Sequence, residues 1–436
     1  MRQRIYTPPF HRRILPWIFI VIFFAIAPVL LFYTSGYRWS SPKGQIERNG
    51  TIILDSTPTK ATLTIDGRII QDVTPITLQD MAPGLHRFRL DKAGYHSWEK
   101  SLEITSERVT FANDLWLWRQ SEPTLLTTTA PLILSSSVDG RQTLAMSQAT
   151  SSLALLLTTP DQISSSSTLA VRVNATTQLN WSPNGRYVIA QTVEGTSTTR
   201  WIIDTRNTNA PLTIPDGSFR WDADALVIQN ALSQTRIQLS DFSLRRVPFT
   251  SHVVDTSAQA TIRSNEATNG LVFVEAQNIN QGIELPAGTW HLWSSTNGMH
   301  IIRDGNRWMS IQLNEKNAST YEAVGDQLRS FTSGGITQYL LVNHNELWIW
   351  NPTTQPELVY RQSERIVDAA WHSENGNIFF ATHTGIFALN LDQRDGRIVT
   401  QLATFDEITG FSTLSNQLVI AGTKNAQTGI WTLAVE

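Results

Sequence analysis

The sequence predicts an all-β protein that carries one N-terminal transmembrane helix. Three observations support this fold class. The chain of 436 residues contains 15 tryptophans and many Thr, Ser, Asn and Gln residues, a composition typical of β-rich proteins. Residues 14–37 include no charged side chain. Beyond residue 118, short apolar strands and turn signals recur at intervals of about 40 residues.

The charge and the cysteine content exclude several classes of function. A formal net charge of -3 with 16% charged residues provides no basic surface, so we predict no nucleic-acid partner. The chain has no cysteine, which excludes disulfides, thiolate nucleophiles and Cys-based metal sites. It also contains no phosphate loop, no His-Glu-x-x-His pair and no Gly-x-Ser-x-Gly elbow. We therefore predict that the protein is not an enzyme and that it has no cofactor, no metal and no catalytic residue.

The apolar run near the N-terminus predicts a transmembrane helix over 14–36. About 20 apolar residues in a helix span the hydrocarbon layer of about 30 Å. Four arginines precede the run and two basic residues follow it: Arg2, Arg4, Arg12, Arg13, then Arg38 and Lys43. The positive-inside rule then places residues 1–13 in the cytoplasm. The predicted localisation is the plasma membrane, crossed once, with extracytoplasmic C-terminal domains, and a cleaved signal peptide is the alternative.

A polar linker over 37–49 leads to a first β-unit, which we predict over 50–118. The segment Thr62–Ile65 alternates between apolar and polar residues with the period of a half-buried strand. It is followed by Asp66–Gly67, a strong signal for a two-residue hairpin turn. These features predict a small β-sandwich.

The turn residues of this unit occur in a distinctive order, which is Ser56, Pro58, Ala61, Asp66–Gly67, Thr74–Pro75, Pro83–Gly84 and Gly94–Tyr95. Over about 50–117, this series resembles the PEGA domain, a small β-module of surface and envelope proteins. The resemblance implies an extracytoplasmic β-fold and no catalytic residues. One departure is Asp72–Val73, which stands where the family usually has a glycine, so this turn is expected to differ.

Residues 119–436 predict a seven- or eight-bladed β-propeller. The clearest repeat is residues 181–185, Trp-Ser-Pro-Asn-Gly, in which an aromatic residue closes one strand and a turn leads to the next. Related starts occur at Leu134, Phe219, Ile262, Leu292, Phe331, Ala370 and Phe411. Four short strands per unit of about 40–45 residues are typical of propeller blades. The repeats also resemble WD40-like and TolB-like propellers.

Two further expectations concern this region. Residues 150–168, which are rich in Ser and Thr, are predicted to form a surface excursion in the first blade. The alternative fold for the whole region is a pair of β-sandwiches or an irregular β array.

Tryptophans stand out at two kinds of position. Those at one position of the repeat are predicted to pack between neighbouring blades: Trp181, Trp221, Trp293 and Trp371. Less regular ones would form a carbohydrate or peptide platform if they were exposed together: Trp290, Trp308, Trp348 and Trp350. Trp116 and Trp118 are predicted to close the small unit or dock it on the propeller.

The leading hypothesis for function is a membrane-anchored extracytoplasmic scaffold whose propeller binds a protein or glycan partner. The alternative is an extracytoplasmic hydrolase or lyase with its active site in the propeller channel. Its candidate residues would be His291, His300, His344, His372, His383, Asp304, Asp368 and Glu374. Such residues are more often structural or exposed when no partner can be named. The sequence predicts no particular oligomeric state.

Overall fold

The computed structural model describes residues 10–34, 37–40, 45–137, 140–147, 152–169, 172–182, 184–221, 225–230, 233–248, 253–257, 259–265, 270–275, 278–296, 298–313, 318–372 and 374–436. Nearly all of its regular elements are β-strands, which confirms the predicted all-β character. The chain divides into two compact units. The small unit comprises Met1–Trp118 with Gln393–Gly396, and the large unit comprises Arg119–Asp392 with Arg397–Glu436.

The N-terminal segment contains one helix, α1 (Phe10–Thr34), and a two-stranded sheet of β1 (Tyr37–Ser40) and β2 (Gln45–Arg48). A membrane span requires about 20 consecutive apolar residues. No helix within the described parts of the chain is long and apolar enough to cross a membrane. The predicted localisation, a single pass of the plasma membrane through residues 14–36, is therefore wrong.

Seven further strands belong to the small unit: β3 (Gly50–Thr57), β4 (Thr62–Ile65), β5 (Arg68–Val73), β6 (Ile76–Met81), β7 (Gly84–Asp91), β8 (Trp98–Ile104) and β9 (Val109–Trp116). They form a four-stranded sheet in the order β5-β4-β7-β8 and a three-stranded sheet in the order β6-β3-β9. Ile52 and Leu54 in one sheet, and Phe88 and Leu90 in the other, are completely buried. Their neighbours along each strand are more exposed, so each sheet buries one face.

The turn residues recognised in the sequence join these strands. Asp66–Gly67 has positive φ at both residues, 48° and 81°, which is the geometry of the hairpin predicted between β4 and β5. The hydroxyl groups of Ser56 and Thr74 are buried and hydrogen-bonded at 2.6 Å. The Thr74 hydroxyl also accepts the backbone N–H of Ala61 at 3.0 Å. Where the family glycine is missing, β5 continues to Val73, and its register with β4 shifts between Ile69 and Val73.

The described residues of the large unit form eight four-stranded antiparallel sheets. After β10 (Thr124–Thr127), the first two sheets contain β11 (Ile133–Ser136), β12 (Thr143–Ser147), β13 (Ser152–Thr159) and β14 (Gln162–Leu169), then β15 (Gln178–Trp181), β16 (Tyr187–Glu194), β17 (Ser197–Asp204) and β18 (Asn207–Ile214). The third and fourth contain β19 (Ser218–Trp221), β20 (Ala225–Gln229), β21 (Ser233–Gln238) and β22 (Leu244–Pro248), then β23 (Val253–Thr256), β24 (Ala260–Asn265), β25 (Gly270–Glu275) and β26 (Asn278–Leu285).

The fifth and sixth sheets contain β27 (His291–Thr296), β28 (Met299–Asp304), β29 (Arg307–Leu313) and β30 (Ala318–Val324), then β31 (Gln327–Ser333), β32 (Ile336–Asn343), β33 (Glu346–Trp350) and β34 (Glu357–Arg361). The seventh contains β35 (Asp368–Trp371), β36 (Ile378–Ala381), β37 (Gly385–Leu389) and β38 (Val399–Thr404). The eighth combines β10 with β39 (Glu407–Leu414), β40 (Gln417–Lys424) and β41 (Gln427–Ala434).

The sheets of the large unit follow one another in a closed cycle. The early strand β10 pairs with the last strand, β41, and so completes the eighth sheet. The first strands of several neighbouring sheets contact each other, namely β11 with β15, β23 with β27 and β31 with β35, and β39 contacts both β35 and β11. A cycle of four-stranded antiparallel sheets is the architecture of a β-propeller. The predicted propeller is confirmed at this level.

Seven of the eight predicted repeat starts lie in the first strand of a described sheet. The exception is Ile262, which lies in β24, the second strand of the fourth sheet. The first strand of that sheet, β23, contains no aromatic residue, whereas every other first strand except β11 contains one.

The predicted surface excursion over 150–168 is also wrong where the structure describes it. Residues 152–169 form β13 and β14, the third and fourth strands of the first sheet. Buried Leu155 and Leu156 in β13 pair directly with Ser166 and Ser165 in β14. The serine run is thus the outer strand of a sheet whose third strand supplies the apolar side chains. Residues 150–151 lie outside the described chain.

Candidate functional site

Three tryptophans of the repeat connect the first strands of neighbouring sheets. Each donates its indole N–H to a group in the preceding sheet: Trp181 to Ser135 Oγ at 3.1 Å, Trp221 to Asn180 Oδ1 at 2.6 Å and Trp371 to the Arg329 carbonyl at 3.0 Å. Donor and acceptor are therefore about one repeat apart in the chain. The regular spacing of these tryptophans reflects the packing of one sheet on the next and not a ligand site.

The remaining tryptophans are also used for packing. The Trp293 ring lies perpendicular to that of Trp308, with the centroids 5.1 Å apart. Trp290, Trp308 and Trp350 are at most 1% exposed, and Trp348 is half-buried. These side chains therefore do not form the exposed platform that would have suggested sugar or peptide stacking.

In the small unit, the rings of Trp116 and Trp118 stack with a centroid separation of 6.0 Å. Trp118 is 4% exposed. Both indoles thus contribute to the packing at the end of this unit.

The candidate histidines do not converge on one place. Four of them face four different acids: His300 Nε2 lies 3.4 Å from Glu275 Oε1, His372 Nε2 lies 2.8 Å from Glu436 Oε1, His291 Nδ1 lies 3.8 Å from Asp255 Oδ2 and His344 Nδ1 lies 3.9 Å from Asp326 Oδ2. The fifth, His383, is exposed. Among the residues that the structure describes, no group of three or more histidines and acids could hold a metal ion.

Burial governs the titration of two of these histidines. It lowers the pKa of His300 and of His372, and the facing carboxylates of Glu275 and Glu436 oppose this effect in part. Near neutral pH both imidazoles are therefore neutral and able to make structural hydrogen bonds.

The candidate acids also have structural partners. Asp304 accepts hydrogen bonds from the backbone N–H and the hydroxyl of Thr289, at 3.2 and 2.8 Å. Asp368 is buried and accepts from Arg329 Nη2 at 2.6 Å. Burial raises the pKa of Asp368, although the charge of Arg329 acts in the opposite direction. Glu374 is exposed.

Sequence analysis did not identify Asp255, which is 2% exposed and lies where three sheets meet. One carboxylate oxygen accepts from Arg220 Nη1 of the third sheet at 3.3 Å and from the N–H of Thr256 at 2.8 Å. The other accepts from the N–H of Leu292 in the fifth sheet at 2.9 Å. Arg220 and Leu292 lie 35 and 37 residues from Asp255 along the chain, so no local pattern reveals this arrangement.

The small unit can be compared with known protein families. Its two sheets are joined by the turns that the sequence analysis singled out. Residues 49–115 match the PEGA domain. The resemblance inferred from the turn residues is thereby confirmed for this part of the chain. No curated protein sequence matches the chain.

Several solved structures resemble the chain at low sequence identity. Apo AztD from Citrobacter koseri is 11% identical, with a TM-score of 0.43 over 68% of this chain and 98% of AztD. The β-propeller domain of Cps50 (Swd1) from Myceliophteria thermophila is 12% identical, with a TM-score of 0.39 over 66% of this chain and 100% of that domain. Dipeptidyl peptidase 4 from Porphyromonas gingivalis is 10% identical, with a TM-score of 0.39 over 69% of this chain and 58% of the peptidase. Similarity at this level does not extend to ligands or activities.

Proposed function

We propose that the chain is a non-enzymatic binding scaffold whose large unit, an eight-bladed propeller, binds a protein or glycan partner. The sheets of a closed propeller support one another, and the loops at their ends are held in fixed positions for recognition. Such a scaffold needs no catalytic group, because its function is the presentation of a surface.

The observation that carries this proposal is that the candidate histidines and acids lie in separate pairs and do not converge on one site. An active site in the propeller channel would bring several of the candidate histidines and acids together beside one bound substrate. His300 and His372 are instead each buried beside one carboxylate, at 3.4 and 2.8 Å. The carboxylates of Asp255 and Asp368 each form an ion pair with an arginine of a neighbouring sheet. These pairs stabilise the junctions between sheets.

Binding and turnover of a partner, measured together, test the proposal. The immobilised full chain is screened on a glycan array and cross-linked to proteins of its source cell, and each candidate is then produced in pure form. The proposal predicts saturable, reversible binding of one pure partner, which is recovered chemically unchanged.

The hydrolase or lyase alternative makes the opposite prediction for the same samples. Mass spectrometry of the recovered partner would then reveal cleavage products. If products form with the native chain and disappear with His300→Gln or His372→Gln, while binding persists, the scaffold proposal is wrong.

A further inference from the structure

Arg303 is placed at one end of the fifth sheet. It is the penultimate residue of β28, just before the turn that leads into β29. Its direct partners across the sheet are His291 in β27 and Trp308 in β29. Side chains of directly paired residues lie on the same face, so Arg303, His291 and Trp308 share one face of this sheet.

Two indole rings hold the Arg303 side chain. The guanidinium carbon lies 4.7 Å from the centroid of Trp308 and 5.9 Å from that of Trp293. Trp308 is 1% exposed, and its N–H donates to the carbonyl of Gly325 at 2.9 Å, so its ring is fixed. Stacking on aromatic rings restricts a guanidinium group without using its hydrogen-bond donors.

The charge of Arg303 has no acidic partner in direct contact. Its Nε donates to the carbonyl of Gly305 at 2.6 Å. No carboxylate of a described residue lies within 4.0 Å of the guanidinium nitrogens. Arg307, four residues later, differs, because its nitrogens lie 3.6 Å from Asp304 and 3.8 Å from Glu322.

The surroundings of Arg303 favour an incoming anion. Arginines that are partly removed from water are normally paired with an acid. Burial lowers the pKa of Arg303, and the more distant charge of Asp326 offsets this only in part. The Asp326 carboxylate lies 3.9 Å from His344 Nδ1 and is about half exposed, so it does not occupy the guanidinium group.

We propose that Arg303 binds a carboxylate group of a protein partner, a site that rests on the proposed binding function. The planar guanidinium group matches a carboxylate in a two-bonded geometry. A protein is favoured over a glycan because a sugar ring requires an exposed indole face, and of the two indoles beside Arg303, Trp308 is 1% exposed and Trp293 is half-buried. The ligand is thus an acidic side chain or a chain terminus, with the rings of Trp293 and Trp308 beside it.

A titration of the full chain with two peptides tests this site. The chain is labelled with fluorotryptophan, and the signals of Trp293 and Trp308 are assigned with Trp293→Phe and Trp308→Phe. The probes are acetyl-Gly-Glu-Gly-amide and its Gln counterpart. We expect the Glu peptide to shift these two signals and the Gln peptide to leave them unchanged.

Three variants test whether binding of the Glu peptide depends on Arg303 itself or on the overall positive charge of this surface. Arg303→Gln is expected to weaken binding of the Glu peptide at least about tenfold, and Arg303→Lys by less, because lysine keeps the charge but loses the planar fork. Arg307→Gln, the matched control, is expected to change binding by less than about twofold, since Arg307 is already paired. Unchanged signals of the other tryptophans establish that each variant is folded.

Three results of these titrations would overturn the site. They are equal binding of the Glu and Gln peptides, equal binding by the native chain and Arg303→Gln, and a response to glucuronate but not to the Glu peptide. A response to glucuronate alone would mean that the ligand is an acidic glycan and not a protein. If the pure partner binds the Arg303→Gln variant as tightly as it binds the native chain, the Arg303 site is refuted and the scaffold proposal stands. If the Glu peptide binds but no partner does, the scaffold proposal fails instead.

Discussion

At the scale of single residues, buried charges in the large unit lie where strands of neighbouring sheets supply their partners. Asp255 is the clearest case, because its two oxygens accept hydrogen bonds from residues of three sheets. The donors are the Arg220 side chain and the backbone N–H groups of Thr256 and Leu292. Loss of this carboxylate would leave Arg220, whose side chain is 11% exposed, without that acceptor. A buried charge without its counter-charge is far more costly than an exposed one.

This argument predicts different effects for two aspartates. Asp255→Ala is expected to lower the free energy of unfolding by about 3–5 kcal/mol, since it breaks a buried pair. Asp216→Ala is the control, because its partner Arg200 is as little exposed as Arg220, at 11%, but the Asp216 side chain itself is 74% exposed and Arg200 keeps its hydrogen bond to Gln191. The control is expected to cost at most about 1 kcal/mol. Urea unfolding of both variants gives the comparison, and equal losses would contradict the role of Asp255.

Buried His300 makes stability depend on pH. Burial lowers its pKa in the folded chain, so on acidification the unfolded chain takes up a proton before the folded chain does. This contribution is fully present above the unfolded-state pKa of about 6.5 and is lost as the pH falls below it. In urea titrations, His300→Gln is expected to lose less stability than the native chain between about pH 7.5 and about pH 5.5. An identical loss in both proteins would mean that His300 contributes nothing to this dependence.

At the scale of elements, the eighth sheet depends on close contact between β10 and β41. A Cβ atom at Gly429 would lie 2.0 Å from the carbonyl oxygen of Thr127 and 2.9 Å from a methyl group of Leu125. A side chain at this position therefore requires β10 to move away from the last strand.

Gly429→Ala is accordingly expected to destabilise the large unit by about 1–3 kcal/mol, because the neighbouring atom is backbone and cannot move alone. The control is Thr428→Ala next to it, which removes an exposed hydroxyl that shares a hydrogen bond with Thr423. Its effect is expected to stay within about 0.5 kcal/mol. Thermal unfolding of the two variants distinguishes them, and a harmless Gly429→Ala would argue against the tight pairing of β10 and β41.

The elements that could be predicted are those whose signals are local. The Asp66–Gly67 hairpin requires only two neighbouring residues with positive φ. The tryptophan repeat is equally local, because it consists of the end of one strand and the turn that comes next. The start of the fourth repeat was misplaced at Ile262, because β23 has no aromatic residue and no glycine turn follows it in the sequence. Asp255 and Arg303 were not predicted, because their surroundings depend on residues from other strands and sheets.

At the scale of the whole large unit, closure of the ring underlies every functional proposal made for this chain. The eighth sheet joins residues near 125 to residues near 431, so the first and last parts of this unit are held together. A closed ring keeps neighbouring sheets in register, which fixes the Arg303 site and the junction pairs. An open array would allow both to separate.

Cross-linking of Thr124→Cys with Thr432→Cys measures this closure most directly. The chain has no other cysteine, and these residues are direct partners in β10 and β41. Directly opposed Cα atoms, about 4.5–5.5 Å apart, allow a disulfide. Thr124→Cys with Thr428→Cys is the control, because a shift of four residues separates the sulfurs by about 13 Å. The ring predicts rapid disulfide formation in the first variant and little in the second; no disulfide in the first, or equal formation in both, would contradict the closed propeller.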